Sequence, residues 1–159
     1  MVLDVFVEGY DVSMNCRYSG FTAFRCEIFR GWNEELGRLY QRKYRFIWDK
    51  HDNFGFLGFA SFLIERQKVN DFDIKMKKIL DEYDRPYNEG MKILFYHSDC
   101  DGEITPDECV LVLKSFQHVD VEKFDKSDES MNEWYREMYD TWTTMLTYAI
   151  ENNKSILFG

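Results

Sequence analysis

The sequence predicts an α+β fold that is predominantly helical, with about five or six helices and a small β element formed by the N- and C-terminal segments. Apolar residues recur at intervals of three and four over several segments, which is the spacing of one face of a helix. A Val-rich, loosely alternating stretch begins the chain, and the apolar run KSILF lies near its end. The 159 residues, 45% of them hydrophobic, are enough for a single domain covering residues 1–159.

The first part of the chain divides into short extended segments followed by helices. Residues 2–8 predict a strand, and GYDVSMNC predicts a turn with a second short strand. Phe21, Phe24 and Ile28 recur at helical spacing, and Ser19 is the expected N-cap of that helix. Further helices are predicted in NEELGRLYQRKYRFIW and NDFDIKMKKILDEYD, and the segment DKHDNFGFLGFAS between them is expected to be a loop.

The later segments are mostly helical. EGMKILFYHSDC fits either a short helix or a buried strand, because an apolar run of four does not distinguish the two. PDECVLVLKSF predicts a helix, and apolar spacing predicts a longer one from Ser127 to about Glu151. The terminal KSILF is expected to pair as a strand with the first strand.

The net charge of −9 is concentrated in the last third of the chain. Residues 101–159 carry thirteen acidic and five basic side chains, whereas the first hundred residues carry sixteen acidic and fifteen basic ones. Such a field repels nucleic-acid phosphates and anionic membranes, and it attracts cations or a surface rich in Lys and Arg. We therefore expect a basic protein as partner and no direct contact with nucleic acid or membrane.

The sequence also predicts a cytoplasmic protein. The first residues, MVLDVFVEGYD, lack the basic region of a secretory signal. The longest uncharged run, NFGFLGFASFLI, has twelve residues and is too short to span a bilayer. The cysteines Cys16, Cys26, Cys100 and Cys109 are therefore expected to be reduced thiols.

The stretch HSDCDGEITPDE, residues 97–108, has the spacing of a calcium-binding EF-hand loop. With Gly102 at position six, Ile104 takes the aliphatic position eight, and a bidentate glutamate follows at position twelve. The departure is at position one, where an imidazole replaces the expected aspartate and no second loop accompanies the first. The sequence predicts a site for Ca²⁺ or another divalent metal. Its ligands would be His97, Asp99, Asp101, Glu103 through its backbone carbonyl, Thr105 and Glu108.

The same stretch also fits a purely structural role. Thr105, Pro106 and Glu108 have the spacing of a capping box with proline at the first helical position. Gly102 suits a turn with positive φ, and Asp99 suits an Asx turn. This interpretation leaves unexplained why His97 lies so close to these acidic residues.

Two other metal chemistries fit parts of the loop. The pattern HSDCDG after the apolar run ILFY resembles the first motif of DHH-type phosphoesterases, but the later Asp and His-His motifs of that family are missing. A zinc site would combine His97, Cys100 and Cys109 with a fourth ligand from Cys16 or Cys26. No nucleophile triad, phosphate-binding loop or dinucleotide motif is found, so an enzyme is not expected.

A second candidate site is an acidic stripe in the last predicted helix. Four carboxylates at intervals of three and four fit either an ordinary solvated face or a docking surface for a basic partner. Neighbouring aromatic residues, one in this helix and two in NFGFLGF, are further candidates for contact. The predicted partner-binding residues are Glu129, Glu133, Trp134, Glu137, Asp140, Phe54 and Phe56.

The motifs HSDCDGEITPDEC and YSGFTAFRCEI resemble a group of small proteins from bacteriophages and prophages, over most of residues 10–117. The resemblance assigns no reaction. It implies a non-enzymatic binding protein of phage or mobile-element origin that inhibits a host nucleic-acid-handling or defence protein in the host cytoplasm. Anti-CRISPR inhibitors, with a Cas9-like nuclease as partner, are the first expectation. A divalent-metal-binding module remains the alternative.

Overall fold

The computed structural model describes residues 2–51, 59–82, 88–98 and 101–159. Within these ranges the chain forms six α-helices, one 3₁₀ turn (Val121–Lys123) and four short strands. The predicted class, a mostly helical α+β domain, is confirmed. The elements in chain order are β1 (Val2–Val7), β2 (Ser13–Arg17), α1 (Tyr18–Trp32), α2 (Glu34–His51), α3 (Phe59–Glu82), α4 (Asn88–Tyr96), β3 (Gly102–Ile104), α5 (Pro106–Phe116), α6 (Glu129–Glu151) and β4 (Ile156–Phe158).

The four strands form one antiparallel sheet in the order β2-β1-β4-β3. The predicted pairing of the first and last strands is confirmed, with Val5 opposite Phe158 and Val7 opposite Ile156. Strand β3 comes from the middle of the chain and was not predicted, because three residues are too few to show an alternating pattern. Its pairing with β4 ties the HSDCDG region to the C-terminal segment.

The alternation of β1 explains how the sheet is placed. Leu3, Val5 and Val7 are fully buried, whereas the intervening Val2, Asp4 and Phe6 are exposed. Successive side chains of a strand point to opposite faces, so one face of the sheet covers the core and the other meets solvent.

The core is centred on the indole of Trp142, which is completely buried. Its ring centroid lies 6.0 Å from that of Phe21, 6.1 Å from Phe24, 6.3 Å from Phe116 and 6.0 Å from Phe158. These residues belong to α1, α5 and β4, so one side chain of α6 joins three other elements. Large aromatic side chains bury the most apolar area per residue, which makes this cluster a main source of stability.

One sequence prediction about a helix start was wrong, and one alternative that the sequence left open is decided by the structure. Helix α1 begins at Tyr18, with Arg17 at the N-cap position and no side-chain capping bond, so the prediction of Ser19 as N-cap was wrong. Pairing of Arg17 with Val2 keeps β2 extended to its last residue, and the helix begins immediately afterwards. The ambiguous apolar run 91–95 is helical and forms part of α4.

The predicted loop DKHDNFGFLGFAS is shorter than expected at both ends. Helix α2 continues to His51 and α3 begins at Phe59, while residues 52–58 lie outside the described residues. No Gly or Pro occurs between Phe59 and Glu82, so nothing in the local sequence interrupts α3 before its end. None of the helices in the described ranges combines the length and apolar character needed to cross a membrane.

The close packing of α4 on α5 generates a test. A Cβ atom at Gly90 would overlap the carbonyl oxygen of Leu111 and the hydroxyl of Ser115, whereas one at Gly20 would meet Cys16 and Trp134 at ordinary distances of 3.4 and 3.6 Å. Gly→Ala inside a helix normally stabilises by up to about 1 kcal/mol. We expect Gly90→Ala to lower the free energy of unfolding by about 1–3 kcal/mol through overpacking, with no loss for Gly20→Ala.

Urea denaturation of both variants checks this prediction. Equal stability of the two alanine variants would show that α4 and α5 are not packed through Gly90.

Candidate functional site

Residues 97–108 lie between α4 and the first turn of α5, as an EF-hand loop lies between its two helices. Helix α4 ends at Tyr96, β3 covers Gly102–Ile104, and α5 begins at Pro106. Gly102 has the positive φ, +114°, that glycine adopts without strain. Ile104 is fully buried and pairs with Ile156 of β4. The second half of the loop is therefore held firmly against the sheet.

The predicted capping box at the start of α5 is confirmed. The Glu108 carboxylate accepts hydrogen bonds from the backbone N–H and the hydroxyl of Thr105, both at 2.9 Å. Thr105 Oγ1 in turn accepts from the Glu108 backbone N–H at 3.4 Å. The residue at the bidentate ligand position thus serves the helix terminus in this structure.

His97, the residue at position one, contacts Phe158 and the backbone of Ser98, and it has no hydrogen bond to a loop carboxylate among the described residues. Its ring centroid lies 4.1 Å from that of Phe158, and Nδ1 donates to the Ser98 carbonyl oxygen at 2.6 Å. The Ser98 hydroxyl donates to Asp101 Oδ1 at 2.9 Å. Asp99, the remaining predicted carboxylate ligand, lies outside the described residues. The imidazole therefore helps to hold the turn that follows α4.

Arg25 fixes the beginning of this loop and was missed by sequence reasoning. It is only 2% exposed, and its guanidinium donates to the carbonyl oxygens of Leu94 at 2.9 Å and His97 at 3.0 Å. The guanidinium also lies 4.8 Å from the centroid of the Phe21 ring. A cation at the last carbonyls of a helix is favourable for the helix dipole. The available signal was its place on the apolar face, four residues after Phe21 and three before Ile28.

A cleft of about 500 Å³ lies beside the loop. His97, Asp101, Glu103 and Glu108 all line it, together with Glu89, Lys92 and the exposed ring of Tyr96, whereas Thr105 does not. Lys92 binds Asp81 at 3.1 Å and Glu89 at 3.3 Å. Among the described residues, no three His, Cys, Asp or Glu side chains are close enough to hold a metal ion. Four predicted ligands therefore line one cleft in this structure, but they do not surround one position at which an ion could be coordinated.

The buried cysteines do not suit zinc. Burial raises the pKa of Cys26 and of Cys109 to about 12, and both are free thiols. The Cys109 thiol lies 3.6 Å from the carbonyl oxygen of Ile104, inside the fold. Zinc binds thiolates, so these environments oppose the zinc interpretation for the two residues.

The acidic stripe lies on the surface of α6. Glu129, Glu133, Glu137 and Asp140 are all exposed, and none of them forms an ion pair with another described residue. Glu122, another exposed carboxylate, is by contrast paired with Arg136 at 2.9 Å and Lys126 at 3.1 Å. The four stripe carboxylates therefore remain available to an external cation.

The predicted aromatic contacts have different outcomes. Trp134 is only half-buried, and its ring lies close to Gly20 and edge-on to Tyr135, with centroids 5.4 Å apart. Part of this indole therefore supports α1, and the rest faces solvent. Phe54 and Phe56 lie outside the described residues.

Comparisons of the chain with protein-family models, curated proteins and solved structures give no match. Its function is therefore argued from its own residues and their geometry.

The buried guanidinium of Arg25 leads to a prediction about stability. Arg25→Met keeps most of the apolar stem but removes the donor of the buried Leu94 carbonyl oxygen and of the part-buried His97 carbonyl oxygen. An unsatisfied buried acceptor costs about 1–3 kcal/mol. We expect a loss of about 2–4 kcal/mol in unfolding free energy, measured by urea denaturation. Arg38→Met is the matched control, because Arg38 is exposed on α2, and a surface change of this kind stays within about 0.5 kcal/mol. Similar losses in both variants would contradict a special role for Arg25.

Proposed function

We propose that this chain is a non-enzymatic, acidic binding protein of phage or mobile-element origin. It inhibits a basic nucleic-acid-handling or defence protein of the host, with a nuclease as first candidate, by protein–protein contact in the host cytoplasm. The observation that carries the proposal is the row of four exposed carboxylates on α6 that have no internal counter-ion among the described residues.

The geometry of α6 supports this role. The stripe runs from Glu129 to Asp140, which are eleven steps apart and so about 16 Å apart along a helix that rises 1.5 Å per residue. Helix α6 is fixed by the fully buried Trp142, Met145 and Leu146 on its opposite side. Fixed charges need little ordering when a partner binds, so they accelerate encounter and set orientation.

The environments of the three cysteines that the structure describes also favour binding over covalent catalysis. Burial raises the pKa of Cys26, Cys109 and Cys16, so these groups are protonated at neutral pH. A nucleophilic cysteine requires the opposite shift.

The stripe is tested by capture of the partner. Glu133→Lys/Glu137→Lys reverses two stripe charges, and Glu8→Lys/Glu151→Lys makes the same change in net charge at exposed positions elsewhere. We expect the unaltered chain and the control to retain one host protein at low salt. The stripe variant should retain at least about tenfold less of it, because a loss of about 1.4 kcal/mol in binding free energy lowers the affinity tenfold.

The captured protein is then identified, and its nucleic-acid activity is assayed with and without the chain. Recovery that is equal for the stripe variant and the control, or that does not fall with rising salt, would remove the stripe from the mechanism.

A divalent-metal-binding module is the second candidate. The helix–loop–strand–helix order, the positive φ of Gly102 and the buried Ile104 support it, as does the common cleft lined by Asp101, Glu103 and Glu108. Glu108 would have to exchange its capping bonds for the metal, because its carboxylate now binds Thr105. Oxygen donors of this kind suit Ca²⁺ better than softer ions.

Thermal unfolding with and without Ca²⁺ tests this module. An ion that binds only the folded state raises the melting temperature. At an ion concentration a hundredfold above the dissociation constant, the free energy of unfolding rises by about 2.7 kcal/mol. We expect Asp101→Ala to abolish the rise, and Asp107→Ala, an exposed residue outside the predicted ligand positions, to preserve it. No rise with Ca²⁺, Mg²⁺, Mn²⁺ or Zn²⁺ would exclude the module.

A further inference from the structure

A small cavity of about 170 Å³ opens between α2 and the beginning of α6, over the middle of α1. We call it the α1 slot. Helix α1 contributes Ala23 and Glu27, helix α2 contributes Tyr44 and Arg45, and the opposite wall is formed by Asp125 and Tyr135. Glu27 is only 2% exposed, so its carboxylate marks the buried floor. Arg45 is exposed and lies at the mouth.

The floor of the slot carries a negative charge that its neighbours compensate only partly. The Glu27 carboxylate accepts from Arg30 Nη1 at 3.0 Å and from the Asp125 backbone N–H at 2.7 Å. Burial nevertheless raises the pKa of Glu27 above its ordinary value, so these two donors do not replace the lost hydration in full.

Two groups near this floor respond to the same field. Burial, and after it the charge of Glu27, raises the pKa of Cys26 and of Tyr135 to about 12. At Cys26 the charge of Glu27 is opposed by those of Arg30, Arg25 and Arg45, whereas at Tyr135 the charges of Glu27 and Asp125 each outweigh that of Arg30. The potential at the Tyr135 wall of the slot is therefore negative, and a cation at this wall would be stabilised.

The size of the slot limits its occupant to one side chain. Its 170 Å³ is well below the roughly 300–1,000 Å³ of pockets that hold drug-sized ligands. It equals the liquid volume of about five or six waters at roughly 30 Å³ each. Single anchor side chains, most often Trp, Tyr or Arg, fill pockets of this kind at protein interfaces.

We propose that the α1 slot binds the guanidinium of one arginine side chain of a basic protein partner. That this arginine belongs to a protein rests on the proposed function. The slot's preference for a guanidinium is independent of that function. The planar, weakly hydrated guanidinium stacks on the aromatic rings of Tyr44 and Tyr135, and it donates to the carboxylates of Glu27 and Asp125. An ammonium group is more strongly hydrated and lacks the planar fork, so lysine binds less well.

The experiment uses the ¹⁵N-labelled full chain and two probes of nearly the same shape, N-acetyl-arginine amide and N-acetyl-citrulline amide. The second replaces the guanidinium by a neutral ureido group. We expect saturable shifts in the backbone amide signals of Cys26, Glu27 and Tyr135 with the arginine probe. The dissociation constant should be on the order of millimolar, as for a single small ligand, and at least about tenfold weaker with citrulline.

Two variants and a control locate the binding. Ala23→Leu fills the slot without changing charge, and Glu27→Gln removes the negative floor while keeping an acceptor for the Asp125 N–H. Both should weaken binding of the arginine probe at least about tenfold, whereas Glu8→Gln, at an exposed position just after β1, should leave it unchanged. If one slot variant does not fold, the other slot variant and the comparison of the arginine and citrulline probes still test the proposal.

Equal binding of the two probes, or arginine binding that survives both slot variants, would overturn the proposal, and so would the absence of saturable shifts. The outcome is separable from the partner capture described above. A chain that binds the arginine probe but captures no host protein retains the slot and loses the inhibitor role. A chain that captures its partner through the stripe but does not bind the arginine probe retains the inhibitor role and loses the slot.

Discussion

The packing of aromatic rings around Trp142 is the interaction on which the rest of this structure depends. The indole is completely buried, and its ring neighbours come from α1, α5 and β4. Without it α6 would have no fixed position against the sheet, and the acidic stripe on its far side would have no fixed orientation. Trp142 Nε1 lies 3.3 Å from the sulfur of Met14, so its polar atom also has a partner within the core. A buried indole with its N–H directed at an acceptor specifies one arrangement of its surroundings.

Helix α1 fixes the segments that lead into both candidate sites through two buried charges of opposite sign. Arg25 holds the last carbonyls of α4, and Glu27 holds the backbone N–H of Asp125 just before α6. A charged group removed from water is costly unless hydrogen bonds replace its hydration, so each of these residues restricts the segment that supplies its partners. The loop that follows α4 and the connection that precedes α6 are thereby fixed to the same helix. The two charges differ in one respect, because the carboxylate of Glu27 borders a cavity and the guanidinium of Arg25 lies over the aromatic ring of Phe21.

The surface of the chain combines three features that suit cations. These are the four carboxylates of α6 that have no counter-ion among the described residues, the acidic cleft beside the loop, and the negative floor of the α1 slot. They differ in burial, and burial decides what each one contributes. Exposed charges steer a partner and are screened by salt, whereas a partly buried charge selects the shape and hydration of the group that reaches it. A basic protein surface would use the first for encounter and the last for specificity, while a hard metal ion would require the cleft.

The sequence by itself determined the features that depend on neighbours in the chain. Apolar spacing predicted the helices and the alternating first strand, and Thr105, Pro106 and Glu108 predicted the capping box, because both signals arise within a few residues. The spacing of the acidic stripe of α6 was also visible in the sequence. The sequence left open whether the run before His97 was helix or strand, and it misplaced the start of α1. Tertiary structure decided both, together with the short β3. Pairing of β2 with β1 sets the start of α1, pairing with β4 forms β3, and the run before His97 is a helix that packs on α5. The roles of Arg25 and Glu27 came only from the fold, because their partners lie 69 to 98 residues away in the chain. Local patterns report which face of an element is apolar, but only packing determines which distant backbone groups a buried charge will meet.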